Sequence, residues 1–227
     1  QLIAQLAEGE ILSRETTRNA FLYMMNGDAT GPQIGAFLIA LRVRGERLDE
    51  ITGAVEAMRS KALGIKAPKG SVDTCGTGGD TAGTYNISTA AAIVLAACGV
   101  PVAKHGNRAV SSKSGSADVL ETLGVNINAD MAIVKNCLKS LGISFLMATR
   151  HHSAARHVGP ARASLGTRTI FNLIGPLSNP AGTKYQVIGV YDQKWTRPMA
   201  EVLGALGSEC VWVVTGSDGL DEITISG

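Results

Sequence analysis

Gly76-Thr77-Gly78-Gly79-Asp80, continued through Thr84 to Asn86-Ile87-Ser88-Thr89, sets glycines, hydroxyls and amides between an apolar stretch starting at Val72 and the alanine-rich run 90–98. Glycine admits positive φ and close backbone approach, and the unpaired N–H groups and dipole at a helix N-terminus favour an anion. Phosphate is the ligand chemistry this arrangement fits first. A ligand-free strand-to-helix turn is the competing reading, and the rest of the chain must decide between them. Two common phosphate motifs are excluded: no Gly-Lys-Ser/Thr follows the loop, and the sixth position counted from Gly76 is Thr81, not the glycine of a dinucleotide fingerprint.

A second dense stretch, residues 104–121, holds two lysines, one arginine, one histidine, four serines and two glycines, beginning Lys104-His105-Gly106-Asn107-Arg108. Clustered cations and hydroxyls on a glycine-bearing loop fit a polyanion better than they fit a merely solvated surface. A third cluster comprises Arg150, His151, His152, Arg156, His157, Arg162 and Arg168. The histidines lack the spacing of a helical metal pair, while an arginine such as Arg162 can clamp a carboxylate in a bidentate manner. A fourth, Gly216-Ser217-Asp218-Gly219-Leu220-Asp221-Glu222, offers adjacent carboxylates after an apolar run. Such oxygen donors hold magnesium well when substrate phosphates complete the shell.

Positioning these residues requires strands that end at the loops. Ser13 caps an expected helix reaching residues 26–27, Thr30 and Pro32 begin a second ending near Gly45, and Asp49 begins a third ending at Gly64. Beyond the linker Ala67-Pro68-Lys69-Gly70 the pattern alternates: strand 71–74, helix 88–98, strand 100–104, helices 115–123 and 130–140, strand 143–147, helix 153–163, strand 185–190, helix 195–206 and strand 209–215. The alanine-rich run 90–98 reads as a buried helix. The expected architecture is α/β: a small N-terminal α-helical domain (1–66, joined by part of 163–182) and a larger domain (71–227) with a mainly parallel sheet flanked by helices. Ligands in such sheets bind at the carboxyl ends of the strands, where the loops beginning at Cys75 and His105 fall together. The last strand, 209–215, is followed by no helix to cover it, so the expected chain is C-terminally truncated.

With 227 residues and 45% hydrophobic content the chain can bury a sizeable core. A formal charge of +2 argues against nucleic acid or a membrane surface as partner. The longest apolar stretch, 90–100, is too short for a bilayer, and residues 1–9 contain neither a basic leader nor a cleavage site. Cys75, Cys98, Cys137 and Cys210 are widely spaced, which indicates reduced thiols and a cytoplasmic setting.

Taken in order, Gly76-Thr77-Gly78-Gly79-Asp80, Asn86-Ile87-Ser88-Thr89, Lys104-His105-Gly106-Asn107-Arg108, Ser114-Gly115-Ser116-Ala117-Asp118, Arg162 before Leu165-Gly166, Arg168-Thr169-Ile170-Phe171-Asn172 and Asp221-Glu222 resemble the anthranilate phosphoribosyltransferases of tryptophan biosynthesis across nearly the whole chain. The resemblance implies magnesium-dependent transfer of the phosphoribosyl group from phosphoribosyl pyrophosphate (PRPP) to anthranilate, releasing pyrophosphate, by a homodimer; the Leu- and Met-dense N-terminal helices are the expected interface, with packing on each other and on the main domain the competing reading. Carried over residue by residue, it implies a PRPP site at Gly76, Gly79, Asp80, Thr84, Asn86, Ile87, Ser88, Thr89, Lys104, His105, Gly106, Asn107, Arg108, Ala109, Val110, Ser111, Ser112 and Ser116. It implies anthranilate contacts at Gly76, Asn107 and Arg162, and Mg2+ ligands at Ser88, Asp221 and Glu222. No strong base is implied; His105 and His152 are the candidates for taking up the proton. Of the rivals, a pyrimidine nucleoside phosphorylase carries Lys-His-Ser-Thr-Gly-Gly where this chain has Lys104-His105-Gly106-Asn107-Arg108. A non-catalytic nucleic-acid binder of the same fold would need a strongly basic surface.

Overall fold

The two helix starts read from Ser13 and Thr30 are capped by those side chains. Ser13 Oγ accepts from Thr16 N ahead of the helix Arg14–Asn26, and Thr30 forms a reciprocal capping box with Gln33 ahead of Gly31–Arg44. The computed structural model describes residues 1–78, 85–109 and 114–225. Numbered in chain order, the helices are α1 Leu2–Ala7, α2 Arg14–Asn26, α3 Gly31–Arg44, α4 Leu48–Lys61, α5 Ile87–Ala97, α6 Ser116–Thr122, α7 Met131–Ser140, α8 Ala148–His151, α9 Gly159–Leu165, α10 Ile170–Ile174 and α11 Thr196–Ala205. By contacts the chain divides into two units, Gln1–Ala62 with His152–Ser178, and Leu63–His151 with Asn179–Gly227.

In the first unit α2 and α4 pack against one another, and α3 and α10 complete a core of Phe21, Leu38, Leu41, Ile51, Val55, Ile170 and Ile174. Phe21 lies 6.2 Å from Phe37 and 5.4 Å from Phe171 between ring centroids. At the start of α4, the fully buried Glu50 accepts from the backbone N–H of Leu12 and Arg47 and pairs with Arg44, so its charge is satisfied on every side. One helix was expected over 153–163. The chain instead forms a 3-10 turn, Ser153–His157, and restarts as α9, because Pro160 lacks the N–H an uninterrupted helix would need.

In the second unit five strands, β1 Val72–Gly76, β2 Val102–Gly106, β3 Ile143–Met147, β4 Tyr185–Gly189 and β5 Cys210–Val214, form one parallel sheet in the order β3-β2-β1-β4-β5. Each crossover that includes α5, α6 with α7, or α11 returns the chain to a neighbouring strand. The order changes direction at β1: the chain runs outward through β2 to β3, then comes back to β4 on the other side. The connections leaving β1 and β4 therefore diverge at their carboxyl ends and leave a crevice there. Behind it lie the apolar clusters Ile65, Ala103, Val134, Leu138, Leu146 and Ala117, Leu120, Ile127, Met147.

The expectation of a buried helix over 90–98 needs correction. In α5 only Thr89 and Ala92 are buried, and Ile93 and Val94 are 46% and 61% exposed. The helix packs one side on β1 and β2. An alanine-rich run is apolar all round in sequence and does not reveal that only one side is covered.

Candidate functional site

β1 ends at Gly76, and its next residue, Thr77, is tied across the switch point. Thr77 N donates to Gly189 O at 2.9 Å, and Thr77 Oγ1 accepts from Tyr191 N at 3.1 Å. Gly76 and Gly189, adjacent at the ends of β1 and β4, are glycines for a steric reason. A Cβ on Gly189 would stand 1.6 Å from the carbonyl oxygen of Asp221, and one on Gly76 would stand 3.5 Å from Asp221 Oδ2. The turn carrying Asp221 and Glu222 thus lies directly over these two strand ends. Glu222 continues to the N-terminus of α5, where Ser88 N donates to its Oε1 at 3.1 Å. The donor end of α5 already engages one anionic group, as the unpaired amides and dipole there favour. Thr89 Oγ1 donates to Asn86 Oδ1, and Thr74 Oγ1 to Ser88 O, which fixes the Asn86–Thr89 turn to β1.

Lys104, on β2, is 2% exposed. Its ammonium donates to Thr74 O and lies 3.4 Å from Ser88 Oγ, so a buried positive charge sits beneath the first turn of α5. Burial pushes the Lys104 ammonium below its ordinary range, and the nearby Asp73 carboxylate pulls it back. His105 is also buried. Gly106 gives room where a Cβ would meet Phe145 Cε2 at 2.8 Å and Ser116 Cβ at 3.2 Å. Asn107 remains exposed and accepts through its backbone oxygen from Ala117 N, holding the start of α6 against the loop. Arg108 does not point unengaged into solvent: it forms a bidentate pair with Glu121 and a further bond to Asp118 Oδ1. Asp118 Oδ2 in turn accepts from Ala109 N and Gly115 N, at 2.9 and 2.8 Å.

Of the residues expected at a PRPP site, the structure gathers Gly76, Asn86, Ser88, Thr89, Lys104, His105, Gly106, Asn107, Ala109 and Ser116 around the carboxyl ends of β1 and β2, and Asp221 and Glu222 join them from beyond β5. Ile87 opens α5 and is 37% exposed. Gly79, Asp80, Thr84, Val110, Ser111 and Ser112 lie outside the described residues. Arg162 and His152 belong to the helical unit. Arg162, on α9, has its guanidinium carbon 4.8 Å from the centre of the Phe171 ring, and burial lowers its pKa from the ordinary arginine value. His152 is buried, at 6% exposure.

The sequence reading did not single out Asp73, Thr77 or Asn179. Asp73 Oδ1 accepts from His105 N at 3.0 Å and Oδ2 from Asn179 Nδ2 at 2.7 Å, and Asn179 Nδ2 also donates to Ala103 O at 2.8 Å. A usable signal was present: an acidic residue inside an apolar strand must find donors.

The arrangement presents a buried cation, a helix N-terminus, hydroxyls and two carboxylates at one end of a parallel sheet. It can take a phosphorylated ligand directly and through a divalent cation. Among the described residues no group of three or more His, Cys, Asp or Glu side chains is placed to hold a metal. No helix among them is long and apolar enough to cross a membrane.

Residues 68–227 match the model of the glycosyl transferase family a/b domain, and residues 1–62 that family's helical bundle domain. Over its full length the chain is 63% identical to the anthranilate phosphoribosyltransferase of Rhodospirillum rubrum and 61% identical to that of Azospirillum brasilense, spanning 65% and 63% of those proteins. It therefore spans about two thirds of the length of the curated relatives it matches. The crystal structure of anthranilate phosphoribosyltransferase from Thermus thermophilus superposes with a TM-score of 0.90 at 44% identity, over 98% of this chain and 68% of that one. The Saccharomyces cerevisiae enzyme in complex with PRPP and Mg gives 0.82 at 31% identity, over 94% of this chain and 64% of that one. With both domain models matched and these relatives along its whole length, the chain belongs to the anthranilate phosphoribosyltransferase family of glycosyl transferases.

Proposed function

We propose that the protein transfers the phosphoribosyl group of PRPP to the amine of anthranilate, releasing pyrophosphate, as a step of tryptophan biosynthesis. The observation that carries this reading is the convergence of Lys104, Ser88 and the Asp221–Glu222 turn on the N-terminus of α5. Its support from the comparisons is that the relatives bear that enzyme's name and that the yeast enzyme was solved with PRPP and Mg.

Departure of pyrophosphate builds negative charge on the leaving oxygens, and the Lys104 ammonium with the positive end of the α5 dipole stabilises it. Gly76, Asn86, Thr89, Asn107 and Ser116 orient the donor, with Gly79, Asp80, Thr84 and residues 110–112 assigned to the same role by resemblance. Ser88 Oγ, Asp221 and Glu222 are oxygen donors of the kind a magnesium ion accepts, and one or two carboxylates plus substrate phosphates suit it better than a closed all-protein cage. When bound, magnesium neutralises pyrophosphate charge. Gly76 and Asn107 are assigned to anthranilate by resemblance, as is Arg162. Its forked donors match the carboxylate, and its guanidinium carbon sits over the Phe171 ring. The aromatic amine is neutral at physiological pH, so positioning contributes much of the rate and no strong base is needed; His105 or His152 takes up the proton released. The enzyme is cytoplasmic and pairs as a homodimer through its helical unit, whose Ile11, Tyr23 and Val43 are exposed apolar side chains.

The test is loss of anthranilate fluorescence on mixing protein, PRPP and magnesium. No PRPP-dependent loss from the folded, full-length protein overturns the assignment. In the same assay Arg162→Ala is expected to raise the KM for anthranilate and spare that for PRPP, and equal losses for both contradict its role.

A further inference from the structure

Between β1 and β2 the backbone register is limited to Val72↔Val102, whereas β1–β4, β2–β3 and β4–β5 each show five register pairs. Beyond that single pair, side chains make the connection in both directions. From β1, Asp73 Oδ1 accepts the backbone N–H of His105; from β2, the Lys104 ammonium donates to the backbone oxygen of Thr74. Asn179, on the segment entering β4, closes the third side by donating to Asp73 Oδ2 and to Ala103 O, while its own oxygen accepts from Ala181 N. Asp73 is 0% exposed and Asn179 3% exposed.

A plain ladder would join two parallel strands without burying any charge. Burying a carboxylate and an ammonium is costly, so each must be held by partners that satisfy it, as His105 N and Asn179 hold Asp73 and Thr74 O holds Lys104. The geometry fixed here is that of the carboxyl end of β2. Asp73 and Asn179 hold the backbone at Ala103 and His105, the residues on either side of Lys104, and the Lys104 ammonium reaches across to lie under Ser88.

We propose that Asp73 is a positioning residue. With Asn179 it anchors the end of β2 and so places Lys104 for the donor's phosphates. The proposal rests on the PRPP-binding reading above, and its test has one arm that is independent of that reading.

The variants are Asp73→Ala and, as the milder change that removes one donor, Asn179→Ala. In steady-state turnover the KM for PRPP is expected to rise about tenfold in Asp73→Ala and about threefold in Asn179→Ala, as loss of hydrogen bonds to a buried charge implies. The KM for anthranilate is expected to stay within about twofold. A merely structural role would lower apparent kcat with the folded fraction and leave both KM values unchanged. The second arm is hydrogen exchange of the His105 amide without substrate, expected to accelerate at least about threefold in Asn179→Ala as its acceptor loosens. An active wild type whose PRPP KM is unmoved in Asn179→Ala overturns the proposal, as does unaltered His105 exchange. A wild type that does not turn over PRPP, together with accelerated His105 exchange, overturns the PRPP reading and leaves the anchor at β2 standing.

Discussion

Replacing Gly189 by alanine adds one methyl group at a position where the structure leaves no room for it. The new Cβ would lie 1.6 Å from the carbonyl oxygen of Asp221 and 2.7 Å from its carbonyl carbon. Contact between carbon and oxygen needs a little over 3 Å, so one backbone must retreat by roughly 1.5 Å, and no rotamer change can relieve it because the Cβ is fixed by its own backbone and the oxygen is main chain. β4 is held in five-residue register by β1 on one side and β5 on the other, so the Asp221–Glu222 turn is the part that moves. Displacing the turn proposed to carry the magnesium ligands by about 1 Å is enough for a loss on the order of a hundredfold in turnover. Gly76→Ala supplies the graded comparison: its Cβ would meet Gly189 O at 3.2 Å and Asp221 Oδ2 at 3.5 Å, contacts that a shift of a few tenths of an ångström relieves. The assay is PRPP-dependent consumption of anthranilate across a magnesium titration, with far-ultraviolet circular dichroism to confirm folding. Gly189→Ala should lose most turnover and require more magnesium, and Gly76→Ala should lose less. A Gly189→Ala protein with full turnover and unchanged magnesium dependence would refute the placement of Asp221 over the strand ends.

Gly53→Ala in α4 is expected to destabilise the helical unit by about 1–3 kcal/mol despite a helix-propensity gain of about 1 kcal/mol, because its Cβ would stand 2.2 Å from Arg14 O in α2. Urea denaturation measures this, and an unchanged or raised midpoint contradicts the close approach of the two helices. Asp118 is held below the usual carboxylate range chiefly by the N–H groups of Ala109 and Gly115, with Arg108 adding to them. Since its folded value lies below its unfolded value, these bonds contribute fully above about pH 4 and weaken as the pH falls through the folded value. Carboxyl-detected NMR titration checks the sign, and a midpoint at or above the unfolded value would be inconsistent with it.

The strands and two of the three expected helix starts were legible because each rests on a local rule; the third helix begins at Leu48 behind Arg47 rather than at Asp49. Ser13 and Thr30 cap the helices they precede, and β3 runs over 143–147 as its apolar run predicts. α1 escaped notice because six residues are too few to establish a period. The division of 153–163 was written in Pro160 and was overridden by the length of the apolar pattern. At the site, glycine density and clustered cations marked Gly76, Lys104 and Gly106, whereas Asp73 and Asn179 act through partners distant in sequence, His105 and Ala103, that no spacing rule connects. Arg108 illustrates the opposite limit. Its residue type fitted a phosphate contact, but the structure engages its guanidinium with Asp118 and Glu121 on the next helix.

The helical unit is assembled from two stretches separated by most of the sheet. Phe21 completes its ring contacts with Phe171, and α10 supplies Ile170, Phe171, Leu173 and Ile174 to the buried interior. During synthesis at about 5–20 residues per second, α2, α3 and α4 emerge on the order of ten seconds before α10 exists. Throughout that interval the nascent helices present an apolar surface whose covering segment is still untranslated. Helices α2 to α4 therefore wait for a later segment before they finish folding, and the protein passes through a translational window in which a holdase chaperone has something to bind.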